Sequence, residues 1–298
     1  MPDLVNSDIN SFVARCLLDP GYLDRLARNP HDEIAALPVS TGTRTAIAGL
    51  DFERVRLFAG FISKVQHNDL WDDFPCTRSL LRYYRVELAT FADYRAHHLE
   101  LARAGKPTRA AKTEAFLDFL ESRLRRPVGP EYPGLLDVLT HERLHWEVTR
   151  SLLERPGPDQ GGSPVRGRPA PGPVRADRPD RRTVVACDVL RVAALSYDPL
   201  DVTARLHDGG RALADLAPNA VCLCYWGRES AGTVSVLAVD PPTASVLAAV
   251  DNYRPVHQVL DEGQTLLPEA DRGDLARVLD KAVGQGLVRL IDIPAAVE

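Results

Sequence analysis

The chain has 298 residues, 45% apolar and 26% charged, with a formal net charge of −5. This mix excludes a disordered, fibrous or membrane-embedded chain, and the length suffices for two ordinary domains, each with its own core. The acidic balance argues against nucleic-acid binding, which needs clustered cations to displace phosphate counterions.

The N-terminal segment "MPDLVNSDINSF" has no basic stretch followed by an apolar one, and no segment reaches eighteen consecutive apolar residues, so a cytoplasmic protein that does not engage a membrane is expected. The cysteines (16, 76, 187, 222 and 224) are odd in number and scattered, which points to reduced thiols rather than a disulfide framework. The basic residues are almost all arginine, the lysines being 64, 106, 112 and 281. That skew, beside so much Ala, Pro and Gly, reads as coding bias.

In chain order, the first half predicts helices throughout. Asp8 is placed to cap a helix whose apolar positions Ile9, Phe12, Val13, Cys16 and Leu17 repeat at helical spacing, with Pro20 and Gly21 ending it. Short helices are expected near Gly21–Arg28 and Thr43–Ala48. Asp51 then caps "FERVRLFAGFISKV", with an apolar stripe of Val55, Phe58, Phe61, Ile62 and Val65. Four more follow: "CTRSLLRYY", "ELATFADYRAHHLELARAG", "KTEAFLDFLESRL" and "PGLLDVLTHERLHWEVTRSLLE". An all-helical domain over residues 1–154 is expected.

Residues 155–182, "RPGPDQGGSPVRGRPAPGPVRADRPDRR", hold seven Pro, five Gly and seven Arg, without Leu, Ile, Met or an aromatic. Such a segment has little apolar surface to offset its ordering entropy, so a flexible linker is expected. Beyond it, "TVVACDVLRVAALSYD", "AVCLCYW" and "TVSVLAVD" predict strands, with "PLDVTARLHDG" a helix between the first two. Helices at 242–250, 255–261 and 271–285 and a closing strand "LVRLIDI" complete the pattern. Three strands, three helices and a last strand resemble a winged helix-turn-helix, giving an α+β chain whose domain over 183–298 is winged-helix-like.

His141-Glu142-Arg143-Leu144-His145 spells HExxH. In zinc hydrolases the two imidazoles, one helical turn apart, hold the metal and the glutamate polarises its water. A third ligand is missing from the usual places. Gly and His do not follow His145, Glu147 and Glu154 lie on the same helix, and His207 and Glu229 lie beyond the linker. Three fixed positions arise easily by chance, so a helix without metal is the main reading and a zinc hydrolase using His141, Glu142 and His145 the alternative.

His67, Asn68, Asp69, Trp71, Asp72 and Asp73 cluster at a helix end. They suit a recognition patch for a protein partner. The competing reading has Asn68 and Asp69 break the helix, Trp71 and Phe74 anchor the loop in the core, and Asp72 or Asp73 cap the next helix. His97 and His98 point about 100° apart on a helix and are expected at the surface. Cys222 and Cys224 share a strand face, too far apart for easy disulfide geometry, and read as small buried hydrophobes. No phosphate-binding glycine loop and no GxSxG elbow is present. The helix "DRGDLARVLDKAVGQ" mixes Asp271, Asp274 and Asp280 with Arg272, Arg277 and Lys281 and lacks the cationic face of a DNA reader.

"LLDPGYLDRLARNPHDEIAAL" followed by "LDFERVRLFAGFISKVQHNDLWDDFPCTRSLL" resembles the helical region of partner proteins that accompany multinuclear non-heme iron oxidative enzymes, such as the methanobactin-type partner subunit. The half from "TVSVLAVDPPTASVLAAVDNYRPVHQVLDE" to "LARVLDKAVGQGLVRL" is similar to the winged-helix module that recognises precursor peptides in such pathways. The resemblance implies a non-catalytic subunit that binds a ribosomally made precursor peptide and presents it to the enzyme. It implies no cofactor in this chain, the iron residing in the partner enzyme. The expected contact is strand addition near Val234, Val236 and Leu237, with Leu275, Val278 and Leu279 lining the adjoining helix. His67, Asn68 and Trp71 are expected to face the enzyme.

Overall fold

A computed structural model describes residues 2–105, 107–126, 131–154, 168–169, 172–174, 182–186, 189–208, 213, 215–228, 232–250 and 253–292. The chain forms two compact units, Met1–Leu139 and Thr140–Glu298.

The described part of the first unit is helical: α1 (Pro2–Leu18), α2 (Pro20–Arg28), α3 (Pro30–Ala35), α4 (Thr41–Ala48), α5 (Phe52–Gln66), a 3-10 turn (Asn68–Asp72), α6 (Pro75–Tyr83), α7 (Glu87–Arg103), α8 (Arg109–Leu124) and the start of α9 (Leu135–Glu154). Side-chain caps set several starts. Asp19 accepts from the Tyr22 N–H, Ser40 from Thr43, Asp51 from Arg54 and Thr108 from Ala111. Asp8, expected as a cap, lies inside α1, which begins six residues earlier at Pro2. Asp72 and Asp73 do not cap α6 either. Phe74 holds that position without a side-chain bond, and Asp73 takes the Arg109 guanidinium at 2.9 Å.

Apolar side chains among the described residues pack this unit along its length. Phe12, Cys16, Tyr22, Leu26, Ile34 and Ile47 join the first helices. Further along, Trp71 meets Phe91 and Phe116 edge-on at 5.4 and 5.7 Å, and the two phenylalanines stack at 5.2 Å. Glu87, buried at the start of α7, is held by Lys64 at 2.6 Å and by Arg82 and Arg78 at 3.3 and 3.4 Å. A buried carboxylate persists only with such compensation.

The second unit contains the rest of α9, then β1 (Arg168–Pro169), β2 (Thr183–Ala186), β3 (Val189–Leu195), α10 (Pro199–His207), β4 (Val221–Arg228), β5 (Thr233–Val239), α11 (Pro241–Ala248), β6 (Tyr253–Pro255), α12 (Val256–Leu266), α13 (Arg272–Gly284) and β7 (Val288–Asp292). They make two antiparallel sheets, ordered β1-β7-β2-β6 and β3-β4-β5. The sequence pattern predicts three strands feeding one winged helix. Instead "TVVACDVLRVAALSYD" divides between the sheets, and the closing strand pairs with β1 and β2. Strand periodicity marks a strand without marking its partner. The main core lies between, where Val184, Val288 and Leu290 of one sheet and Leu190, Cys224 and Trp226 of the other join Val246, Val259, Leu260, Leu275 and Leu279.

Most of residues 155–182, expected as a linker, lies outside the described residues. Those described are built into the unit. β1 pairs with β7, Val174 is buried in the main core with its N–H donated to Asp280 Oδ1 at 2.7 Å, and Arg182 donates to the carbonyls of Gly172 and Pro173. Main-chain pairing and one buried valine hold what composition alone would leave free. Among the described residues, no helix is long and apolar enough to cross a membrane.

α5 and α7 cross at Gly60, where an added Cβ would stand 2.2 Å from the Leu88 carbonyl oxygen and 3.0 Å from the Ala92 nitrogen. The obstacle is backbone, which cannot rotate away. Gly60→Ala is expected to cost about 3 kcal/mol, the upper end for overpacking, read as a lowered urea midpoint of unfolding.

Candidate functional site

β4 is the middle of the three-stranded sheet, and alternation sends its side chains to two cores. Leu223 and Tyr225 face a cluster with Val189, Leu195 and the α9 residues Leu144, Val148 and Leu152. Cys224 and Trp226 face the main core. At Gly227 an added Cβ would stand 2.6 Å from Val148 Cγ1, so α9 lies directly on the strand.

β5 pairs with β4 from Arg228↔Thr233 to Cys222↔Val239, and among the described residues nothing pairs with its other side. It is open on both faces. Val236 and Leu237 are 37% and 40% exposed, Ala238 is exposed, and Val234 and Ser235 are half-buried. Thr233–Val239 carries no charge and no proline. Natural edge strands are normally blunted by lysines, prolines or bulges, and Thr233–Val239 carries neither lysine nor proline. β3, the opposite edge, buries Val189, Leu190 and Leu195.

The residues expected to bind peptide fall into two groups that differ in exposure. Val234, Val236 and Leu237 lie on β5, and Val236 and Leu237 are accessible. Leu275 and Leu279 on α13 are wholly buried in the main core, with Val278 packed against it. Their helical spacing reflects attachment of α13 to its own core. Of the trio expected to face an enzyme, His67 and Trp71 are 1% and 3% exposed, and Asn68 alone is exposed, its Oδ1 accepting from Arg78.

In the HExxH helix, His141 is half-buried with Nδ1 2.9 Å from the Tyr225 hydroxyl. Burial lowers its pKa, repulsion from His145 adds to this, and Asp198 opposes it. Burial raises the Tyr225 pKa, so a neutral imidazole meets a protonated phenol. Glu142 is buried and His145 exposed, while Glu147 and Glu154 pair with Arg143 and Arg150 at 2.9 and 2.5 Å. Among the described residues, no group of three or more His, Cys, Asp and Glu side chains is placed to hold a metal ion. Tyr225 stands 84 positions from His141, so no local pattern announced the contact. Cys16 and Cys224 are free, buried thiols with pKa values pushed up to about 11 by burial.

No family model matches the chain, and no curated protein matches it.

Tyr225→Phe removes the partner of a buried imidazole nitrogen and is expected to lower stability by about 1 kcal/mol in urea unfolding at pH 7.5. The sign of the pH effect follows from the lowered His141 pKa. The unfolded chain takes up the proton first, near pH 6.5, so this contribution is complete above that pH and fades as pH falls. Urea midpoints at pH 7.5 and 5.5 are expected to show the loss, and His141→Gln to reduce it.

Proposed function

We propose that this chain is a non-catalytic peptide-binding subunit, in which β5 receives an extended segment of a ribosomally made precursor peptide as the fourth strand of the β3-β4-β5 sheet. The observation that carries this reading is the uncharged edge of Thr233–Val239, open on both faces. Main-chain hydrogen bonds along such an edge supply affinity for any extended segment. Selectivity comes from apolar side chains at alternate positions, which meet Val234 and Val236 on one face and Leu237 on the other.

The second sheet supports a winged-helix-like reading of the same unit. α11, β6, α12, α13 and β7 follow in winged-helix order, with β2 between β6 and β7 where a wing strand would lie. In this reading the bound peptide is presented to a multinuclear non-heme iron oxidative enzyme, which holds the metal and performs the chemistry. Asn68 and the exposed Asp69 and Asp72 beside it are the residues of the helical unit's candidate patch open to that enzyme.

Affinity purification of the tagged chain from its native host, with mass spectrometry, is expected to recover an iron-dependent oxidative enzyme and a short ribosomal peptide. Val236→Asp should weaken capture of the peptide about tenfold or more and retain the enzyme, while lowering the stability by no more than about 1 kcal/mol in urea unfolding, Val236 being 37% exposed. A chain that comes down alone, or a V236D chain that keeps the peptide, refutes the reading.

A further inference from the structure

His67 and His98 form a hydrogen-bonded pair within the first unit. His67 ends α5 and opens the 3-10 turn, and His98 sits half-buried on α7. His67 Nδ1 lies 2.6 Å from the Ser63 carbonyl oxygen. A carbonyl only accepts, so Nδ1 carries the proton and Nε2 of the neutral ring is left as the acceptor. His98 Nδ1, 3.1 Å from that Nε2, is then the donor. One carbonyl fixes the tautomers of both rings.

The surroundings disfavour charge. From α7, Phe91 and Tyr94 lie against His67 with centroids at 6.1 and 5.4 Å, and burial pushes the Tyr94 phenol up to about 12, so it stays neutral. From α8, Lys112 repels a proton on either ring, and on the turn Asp69 attracts one to His67. Lys64, one turn back on α5, is paired with Glu87. Burial leads these effects and holds both histidines below the ordinary 6.5. A second observation concerns the same turn. Trp71 is 3% exposed and its indole N–H has no hydrogen-bond partner among the described residues. The closed turn therefore carries a desolvation cost that opening to water would relieve.

We infer that the His67–His98 pair is an acid-released latch on the Asn68–Asp72 turn, closed while both rings are neutral and opened when each has taken a proton. A first proton on His98 Nε2 leaves the bond intact. A second, on His67 Nε2, sets two N–H donors against each other across the same gap, with two positive rings beside Lys112. Opening frees the turn and exposes Trp71 next to Asn68. The latch lies in the helical unit and does not depend on what β5 binds.

The test is amide hydrogen exchange on the full chain at pH 7.5 and 5.5, corrected for intrinsic rates. The reporters are Leu70 and Asp73, whose N–H groups donate to the carbonyls of His67 and Leu70. Their protection is expected to fall more than about tenfold, the limit one histidine of ordinary pKa can supply over that interval. Leu26 and Ile47 in the neighbouring core should keep theirs. His98→Gln retains a donor to His67 without titrating and is expected to bring the fall to about tenfold or less. Equal protection of Leu70 and Asp73 at both pH values overturns the latch, as does a loss shared equally by Leu26 and Ile47. That wild-type comparison decides even if H98Q does not fold.

Discussion

The second unit depends on the absence of a side chain at Gly227. Because nothing projects there, Val148 and Leu152 of α9 come down onto β4 and seal one face of the three-stranded sheet, while Cys224 and Trp226 hold the other face against the main core. β4 is thereby fixed as the middle strand with both faces covered. β3 is drawn into the same cores through Val189, Leu190 and Leu195. The strand left over is β5, and its exposure follows from where the helices are used up.

The HExxH helix takes its meaning from the same contact. Leu144, Val148 and Leu152 repeat at helical spacing because they cover the sheet, and His141 lies on that side, against Tyr225. The spacing that brings two imidazoles to one metal is also the spacing that packs a helix on a strand. From sequence, this helix closes the helical half. In the structure, its residues from Thr140 onward belong to the second unit, because their apolar partners are on β3 and β4.

Much of the fold was legible residue by residue, and the limit is physical. The ends of α13 are legible to within a residue, since the Asp271 cap and the Leu275, Leu279 and Ala282 stripe are local signals. α3 is not legible, six residues being too short for periodicity to register. β2 to β5 and β7 are legible as strands, whereas β1 falls in the segment expected as a linker and β6 in a turn between expected helices. The sorting into two sheets is not legible, because pairing is settled by burial over long sequence separations. The strand over Thr233–Val239 is legible from alternation, but the exposure of both Val236 and Leu237, which point to opposite faces, is not. Leu275, Val278 and Leu279 of α13 are legible only as apolar, which does not distinguish a binding groove from a filled core. His98 looked like a surface histidine because its partner is 31 positions away.

The bare edge of β5 also bears on how this protein lives in a cell. An uncharged strand open along one side can be extended by another copy as readily as by a peptide, and nothing in Thr233–Val239 repels a second identical strand. Self-pairing along this edge therefore competes with any other strand for the same hydrogen-bonding groups, and its extent rises with the concentration of the chain.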